Sequence, residues 1–194
     1  MRQAKDNLLR AMLWGSAFVS VAVLLTIVGY LFYKGFSYIS FDFIFGDYSP
    51  VGGGGIFPMI VTTIYTIIIS LIIATPIGIL AAVYLHEYAK QGRLVRIIRY
   101  ATESLTGIPS IIYGLFGAVF FVAILKLGMS IIAASLTLTI IVLPVIIRTT
   151  EEALKTVPAS YREGSLALGT TKLQTLYKVI LPSAMPGILS GIIL

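Results

Sequence analysis

The chain alternates long uncharged runs with shorter polar breaks, and the run lengths set the first expectations. Residues 11–33 carry no charge, enough for one membrane crossing at about 20 residues per span. Residues 56–85 form a longer uncharged run interrupted by Pro76 and Gly78. Such breakers are tolerated in membrane helices where neighbours satisfy the freed backbone, so a tilted, kinked span is expected there. A third run lies between Glu103 and Lys126, and a fourth ends at Arg148 with Pro144 inside it. A fifth begins near Val179 and is still apolar at Leu194, so the chain reads as a partial one, incomplete at its C-terminus. The pattern predicts an all-α polytopic membrane protein with about five spans.

The polar breaks differ in kind. Residues 34–55 form a mixed loop with Asp42, Asp47 and four consecutive glycines, Gly52 to Gly55, which mark a flexible or tightly turned segment. Tyr38, Phe41, Phe43, Phe45 and Tyr48 cluster there and suit an aromatic belt at the membrane boundary, with partner docking as the alternative. Residues 1–55 are therefore read as an N-terminal span with an external glycine-rich loop, and residues 56–194 as the core. Residues 88–100 make a short basic connection.

The longest polar break in the second half covers residues 160–182 and carries two helix-start signals in tandem. Ser160 with Glu163 fits a capping box, Gly169 sits where a helix C-terminal glycine belongs, and Thr171 with Gln174 repeats the start signal. The expectation is a short helix, a tight turn on glycine, and a second helix running into Pro182. On the first helix Tyr161, Gly164, Ser165 and Leu168 fall on one small, moderately apolar face, with Arg162 off it.

Composition agrees with the spans. The 194 residues are 58% hydrophobic and 11% charged, against about 25% charged in a soluble domain. Arg2, Lys5 and Arg10 precede the first run, but its apolar core exceeds the roughly 7–15 residues of a secretory signal, so it reads as an anchor. Cysteine is absent and His86 is the one histidine, which argues against a thiolate or histidine metal site and against a catalytic triad. The net charge of +6 is a topology signal. Twelve of the 14 Lys and Arg residues lie in the N-terminus, the first basic connection and residues 148–178, leaving Lys34 and Lys126 opposite. The positive-inside rule then places the N-terminus and the hairpin in the cytoplasm, and no nucleic-acid partner is needed to explain the basicity.

Glu163-Gly164-Ser165, three residues, Gly169, nine residues, then Val179-Ile180-Leu181-Pro182 resembles the EAA loop of ABC importer permease subunits. The family pattern is Glu-Ala-Ala, three residues, Gly, nine residues, Ile-x-Leu-Pro; the exchanges here are small for small and apolar for apolar. Further stretches resemble the A-type permease subunit of the phosphate-specific importer: Gly54-Gly55-Ile56, Thr75-Pro76-Ile77-Gly78, and Leu105 to Ser110. Arg148 to Leu154 and Ser165 to Gly169 add to them, and the C-type subunit is the nearest rival. The resemblance implies the type I ABC importer permease fold, with six spans in complete members and residues 160–169 as the coupling helix. It implies Tyr161, Glu163, Gly164, Ser165, Leu168 and Gly169 as the surface seated in a cytoplasmic ATPase. A homologous second permease subunit, an ABC ATPase dimer, an extracytoplasmic phosphate-binding protein and membrane lipid are the implied partners. No GxxxxGK[ST] motif occurs, so ATP hydrolysis is assigned to a partner, and neither cofactor nor enzymatic activity is expected of this chain. Permeases for sulfate or molybdate, or a structural membrane protein without transport activity, are the alternatives.

Arg148, at the end of the fourth span, is the candidate to meet a translocated anion, since a guanidinium pairs its donors with phosphate oxygens. The competing reading is a boundary arginine whose stem snorkels outward. Glu151 and Glu152 are expected to make helix-surface ion pairs near Lys155, and Glu103 to pair with Arg99. Pro109 and Pro144 are candidate hinges, with a fixed kink favoured for Pro144.

Overall fold

The computed structural model describes residues 2–50, 54–90 and 92–193, and divides the chain into two compact units, Met1–Val61 and Thr62–Leu194. Every described element is helical. In the first unit α1 (Arg2–Gly35) is one long apolar helix with none of its described side chains buried. Its serine and threonine hydroxyls are spent inside the helix: Ser16 donates to the Leu13 carbonyl, Ser20 to Ser16 and Thr26 to Ala22. Bonded back to the helix's own carbonyls, these groups suit a face turned to hydrocarbon.

The aromatic loop folds around α2 (Phe41–Phe45), whose N-terminus is capped by Ser40 accepting from the Phe43 amide at 3.1 Å. Phe41 stacks on Phe45 at 5.4 Å between centroids, and Phe45 lies 6.3 Å from Phe57. The Ile56 amide donates to the Phe43 carbonyl and Gly55 to Asp47, both at 2.8 Å, so a Cβ on Gly55 would strike the Gly46 backbone. The second pair of the glycine run is thus a close backbone crossing, whereas Gly52 and Gly53 lie outside the described residues.

α3 (Phe57–Val83) begins in the first unit and continues through Pro76 without a break into a π-helical turn (Tyr84–Tyr88). The second unit then holds α4 (Arg93–Thr106), α5 (Ser110–Gly117) with a π-helical extension (Ala118–Ile124), and α6 (Ile131–Lys155). α7 (Ala159–Ala167), α8 (Lys172–Thr175), a π-helical turn (Leu176–Ile180) and α9 (Leu181–Ile193) complete it.

Four segments are long and apolar enough to span: Lys5–Tyr38, Phe57–Tyr88, Ile131–Lys155 and Lys172–Ile193. The third uncharged run falls on the end of α4 and on α5 with its extension. Arg93–Thr106 and Ser110–Ile124 are bent by 96°, and count as a fifth crossing if the pair is one broken span. Pro109 explains the elbow, because it offers no amide to a continuing helix and biases Ile108 away from helical geometry. Tyr113 braces the bend by donating its hydroxyl to the Leu105 carbonyl at 2.8 Å. Pro144, by contrast, lies inside α6, which continues past it.

α6 is the helix the others pack on, and the contacts run through small residues. A Cβ on Gly191 would come within 2.5 Å of Thr149, one on Gly187 within 2.9 Å of Ala153, and one on Gly78 within 2.6 Å of Ile146. Close approach of this kind replaces the missing hydrophobic drive between helices in lipid. Below it Val83, Ala153, Leu154, Leu176, Ile180, Ala184 and Ile188 form the buried apolar cluster that joins the ends of α3, α6 and α9. Leu176 and Ile180, in the π-helical turn (Leu176–Ile180) after α8, belong to this cluster and tie the foot of the hairpin to it.

Candidate functional site

The hairpin forms as the glycine and the second start signal predict, while its first boundary differs. α7 starts at Ala159 with Pro158 in the capping position and no side-chain cap, so Ser160 lies within the first turn and makes no capping box with Glu163. Proline supplies the start instead, its φ of −57° being already suited to helix entry. At the other end the Leu168 amide reaches the Gly164 and Ser165 carbonyls at 3.2 Å, and Gly169 turns the chain with φ +79°. That left-handed conformation costs a residue with a Cβ about 1–2 kcal/mol, hence the glycine. Thr171 and Gln174 close a reciprocal capping box at 3.3 and 3.0 Å, starting α8.

Three hydroxyls hold the two arms together. Ser165 Oγ lies 2.8 Å from Thr170 Oγ1 and 3.0 Å from Thr175 Oγ1, and the two threonine oxygens are 2.8 Å apart. Thr170 also donates to the Ser165 carbonyl at 2.8 Å. With that proton committed, two protons remain for three oxygen–oxygen contacts, so the triangle is a shared network around a buried Ser165. Ser165 therefore faces the hairpin interior, away from the surface it was expected to share with Tyr161 and Leu168. Those two are exposed, Leu168 by 86%, and Glu163, Gly164 and Gly169 are exposed beside them, with open space around Gly164 and Gly169.

The opposite side of α7 holds contacts that the residue pattern did not reveal. Arg162 forms an ion pair with Glu87, in the π-helical turn that ends α3, and Glu87 is almost buried. Lys172 of α8 places its ammonium 5.7 Å over the ring of Tyr88. One sequence signal pointed here: Glu87 is the single acid between Asp47 and Glu103. An isolated carboxylate ending an apolar run needs a cation, and the partner is 75 positions away.

A second cluster surrounds a pocket of about 190 Å³ where α4 meets the end of α6, with Arg99, Glu103, Arg148, Glu151, Glu152 and Lys155 among its walls. Arg148 is half-exposed, 3.5 Å from Glu103 and 3.3 Å from Glu152. Glu103 thus pairs with Arg148, where Arg99 was expected. Glu151 is not a surface acid paired with Lys155: it is buried and meets Arg99 at 3.0 Å, while Arg99 also reaches the Leu85 carbonyl at 3.3 Å. The pairings cross from α4 to α6 because the elbow at Pro109 swings α4 alongside α6, a placement no local spacing encodes. Among the described residues no group of three His, Asp or Glu converges as a metal site requires.

A helical bundle with several segments long and apolar enough to cross a membrane, carrying an exposed helix–glycine–helix hairpin, defines a multi-pass membrane protein. Residues 74–194 match the family described as the binding-protein-dependent transport system inner membrane component, and the chain belongs to that family. Its fold is that of type I ABC importer permeases: it resembles a chain of the inward-facing MetNI methionine ABC transporter. That likeness has TM-score 0.56 at 28% identity and covers 71% of this chain and 64% of the other. The probable ABC transporter permease protein YqgI of Bacillus subtilis is 37% identical over all of this chain and 66% of its own length. The phosphate transport system permease protein PstA 1 of Mycobacterium tuberculosis is 39% identical over 73% of this chain and 46% of its own. PstA of Pasteurella multocida is 33% identical over all of this chain, which spans 69% of that protein. The chain thus spans between about half and two thirds of the length of these relatives. The family match starts inside α3, leaving α1 and the aromatic loop outside it.

Proposed function

We propose that this chain is the transmembrane permease subunit of an ATP-driven importer of inorganic phosphate, and that α7 is the element through which an ATPase moves it. The observation that carries the coupling role is the exposure of Tyr161, Glu163, Gly164, Leu168 and Gly169 on a hairpin whose other sides are held down by Ser165 and Arg162. A face open to a partner, on a body anchored to the spans, is what a mechanical contact needs. Ser165 serves from within, keeping the two arms at a fixed angle. The phosphate assignment draws on the relatives named for phosphate transport.

In this reading an ATPase dimer engages the hairpin from the cytoplasm, a second homologous permease completes the pathway, and an extracytoplasmic binding protein delivers the ion. The N-terminus is cytoplasmic, in the inner membrane of a prokaryote. Arg148 meets phosphate near the end of α6. Its two carboxylate partners are more than half exposed, and exposed pairs are worth about 0–1 kcal/mol, so an arriving dianion can displace them cheaply.

The test is uptake of labelled phosphate by the assembled transporter in proteoliposomes, with sulfate and molybdate as competitors. Glu163→Lys is expected to abolish uptake while membrane insertion is unchanged. Undiminished uptake by that variant rules out the coupling role of α7, and preferential uptake of sulfate or molybdate rules out the phosphate assignment.

A further inference from the structure

The attachment of α7 is almost entirely polar. Of its nine residues only Ser165 is buried, so apolar packing does little to fix the helix. Its links to the neighbouring helices are short: residues 156–158 lead in from α6, and the turn at Gly169 leads out to α8. The hydroxyls of Ser165, Thr170 and Thr175 brace the turn at Gly169, but residues 156–158 would flex under load unless something outside the chain direction resisted. Two contacts do so, and both end on the π-helical turn that follows α3. Arg162 pairs with Glu87, and Lys172 lies over Tyr88. The Glu87 side chain is 9% exposed and also has His86 at 3.7 Å, while Arg162 reaches Glu87 through Nη2 and its buried Nε has no acceptor. Among the described residues Glu87 is the one hydrogen-bond partner of this guanidinium.

Resting on the coupling role of α7, we infer that Glu87 is a positioning residue. Through Arg162 it clasps the hairpin to the end of α3, so that a push on α7 moves that span as one body with it. The π-helical turn that carries Glu87 is continuous with α3, so a displacement received there passes directly into a helix long enough to cross the membrane. Without the clasp the same push would be absorbed at residues 156–158. Glu87 would touch neither the ATPase nor the transported ion.

The chain contains no cysteine, so Tyr84→Cys with Leu166→Cys, both exposed and neither on the face offered to the ATPase, labels the two sides of the clasp uniquely. Spin-label distances are measured in the assembled transporter, nucleotide-free and ATP-bound. The expected result is a narrow distribution that ATP leaves in place, and one that broadens and shifts with ATP in Glu87→Gln. Uptake per ATP hydrolysed should fall about tenfold in that variant, within the usual span of coupling energies. Arg162→Gln should behave alike and serves if Glu87→Gln fails to assemble. A wild-type distance that already shifts with ATP, or variants that change neither distance nor stoichiometry, overturns the clasp. The distance needs no transported solute. If the wild type carries no phosphate yet the distances behave as stated, only the substrate assignment fails.

Discussion

The Arg99 guanidinium lies 3.0 Å from a carboxylate oxygen of Glu151, joining two helices that are 52 positions apart in the chain. Glu151 is buried, whereas its neighbour Glu152 is 60% exposed and pairs with Arg148. Adjacent acids thus have unequal energetic weight. Arg99 is 34% exposed and also donates to the Leu85 carbonyl. Losing Glu151 should therefore cost less than breaking a fully buried pair, at about 3–5 kcal/mol, but more than breaking an exposed one, at about 0–1 kcal/mol. Glu151→Ala is predicted to lower the denaturation midpoint of the purified transporter markedly, and Glu152→Ala to leave it near wild type.

Glycines at four places in the second unit should respond differently to a methyl group. Gly191 and Gly187 meet Thr149 and Ala153 directly, and Gly78 meets Ile146. Gly191→Ala is predicted to force α9 from α6 and destabilise the protein by about 1–3 kcal/mol, the usual cost of overpacking. Gly164→Ala meets open space within a helix and should be neutral or stabilising by about 0.5–1 kcal/mol. Thermal unfolding in detergent separates the two.

Gly169 has room for a side chain, yet its φ of +79° does not suit one. Gly169→Ala should cost about 1–2 kcal/mol of backbone strain without any packing change. Because the strain falls at the turn of the hairpin, under the proposed function phosphate uptake should drop more than protein stability does, read from uptake and unfolding on the same preparation. Equal loss in both would assign the glycine to folding alone.

Arg148→Lys retains charge but loses the planar pair of donors that suits phosphate oxygens. Under the proposed role, half-saturation for phosphate is predicted to rise about tenfold in the lysine variant, the scale of one charge-assisted hydrogen bond. Arg148→Gln should be more severe. Uptake kinetics indistinguishable from wild type in both variants would leave Arg148 as a boundary charge.

Much of the hairpin was legible in residue order. Gly169, the Thr171–Gln174 capping box and the return into Leu181-Pro182 depend on neighbours three or four positions apart, and local chemistry decides them. The first boundary was misread because Ser160 and Pro158 both qualify as helix starters, and the proline, earlier in the chain, begins α7 first. The orientation of Ser165 escaped the helical wheel for another reason. A wheel shows which residues share a face, but Thr170 and Thr175 reach Ser165 only after the chain has turned at Gly169.

By itself the sequence determined that this is a helical membrane protein, since runs of about 20 uncharged residues have no stable place in water. It also determined the hairpin, whose signals are local. Only the tertiary structure decided how charge is distributed among partners. Arg99 with Glu151, Arg148 with Glu103 and Arg162 with Glu87 are matched by helix packing across dozens of residues. Burial then sets what each is worth, because a charge's cost depends on how much water its neighbours exclude.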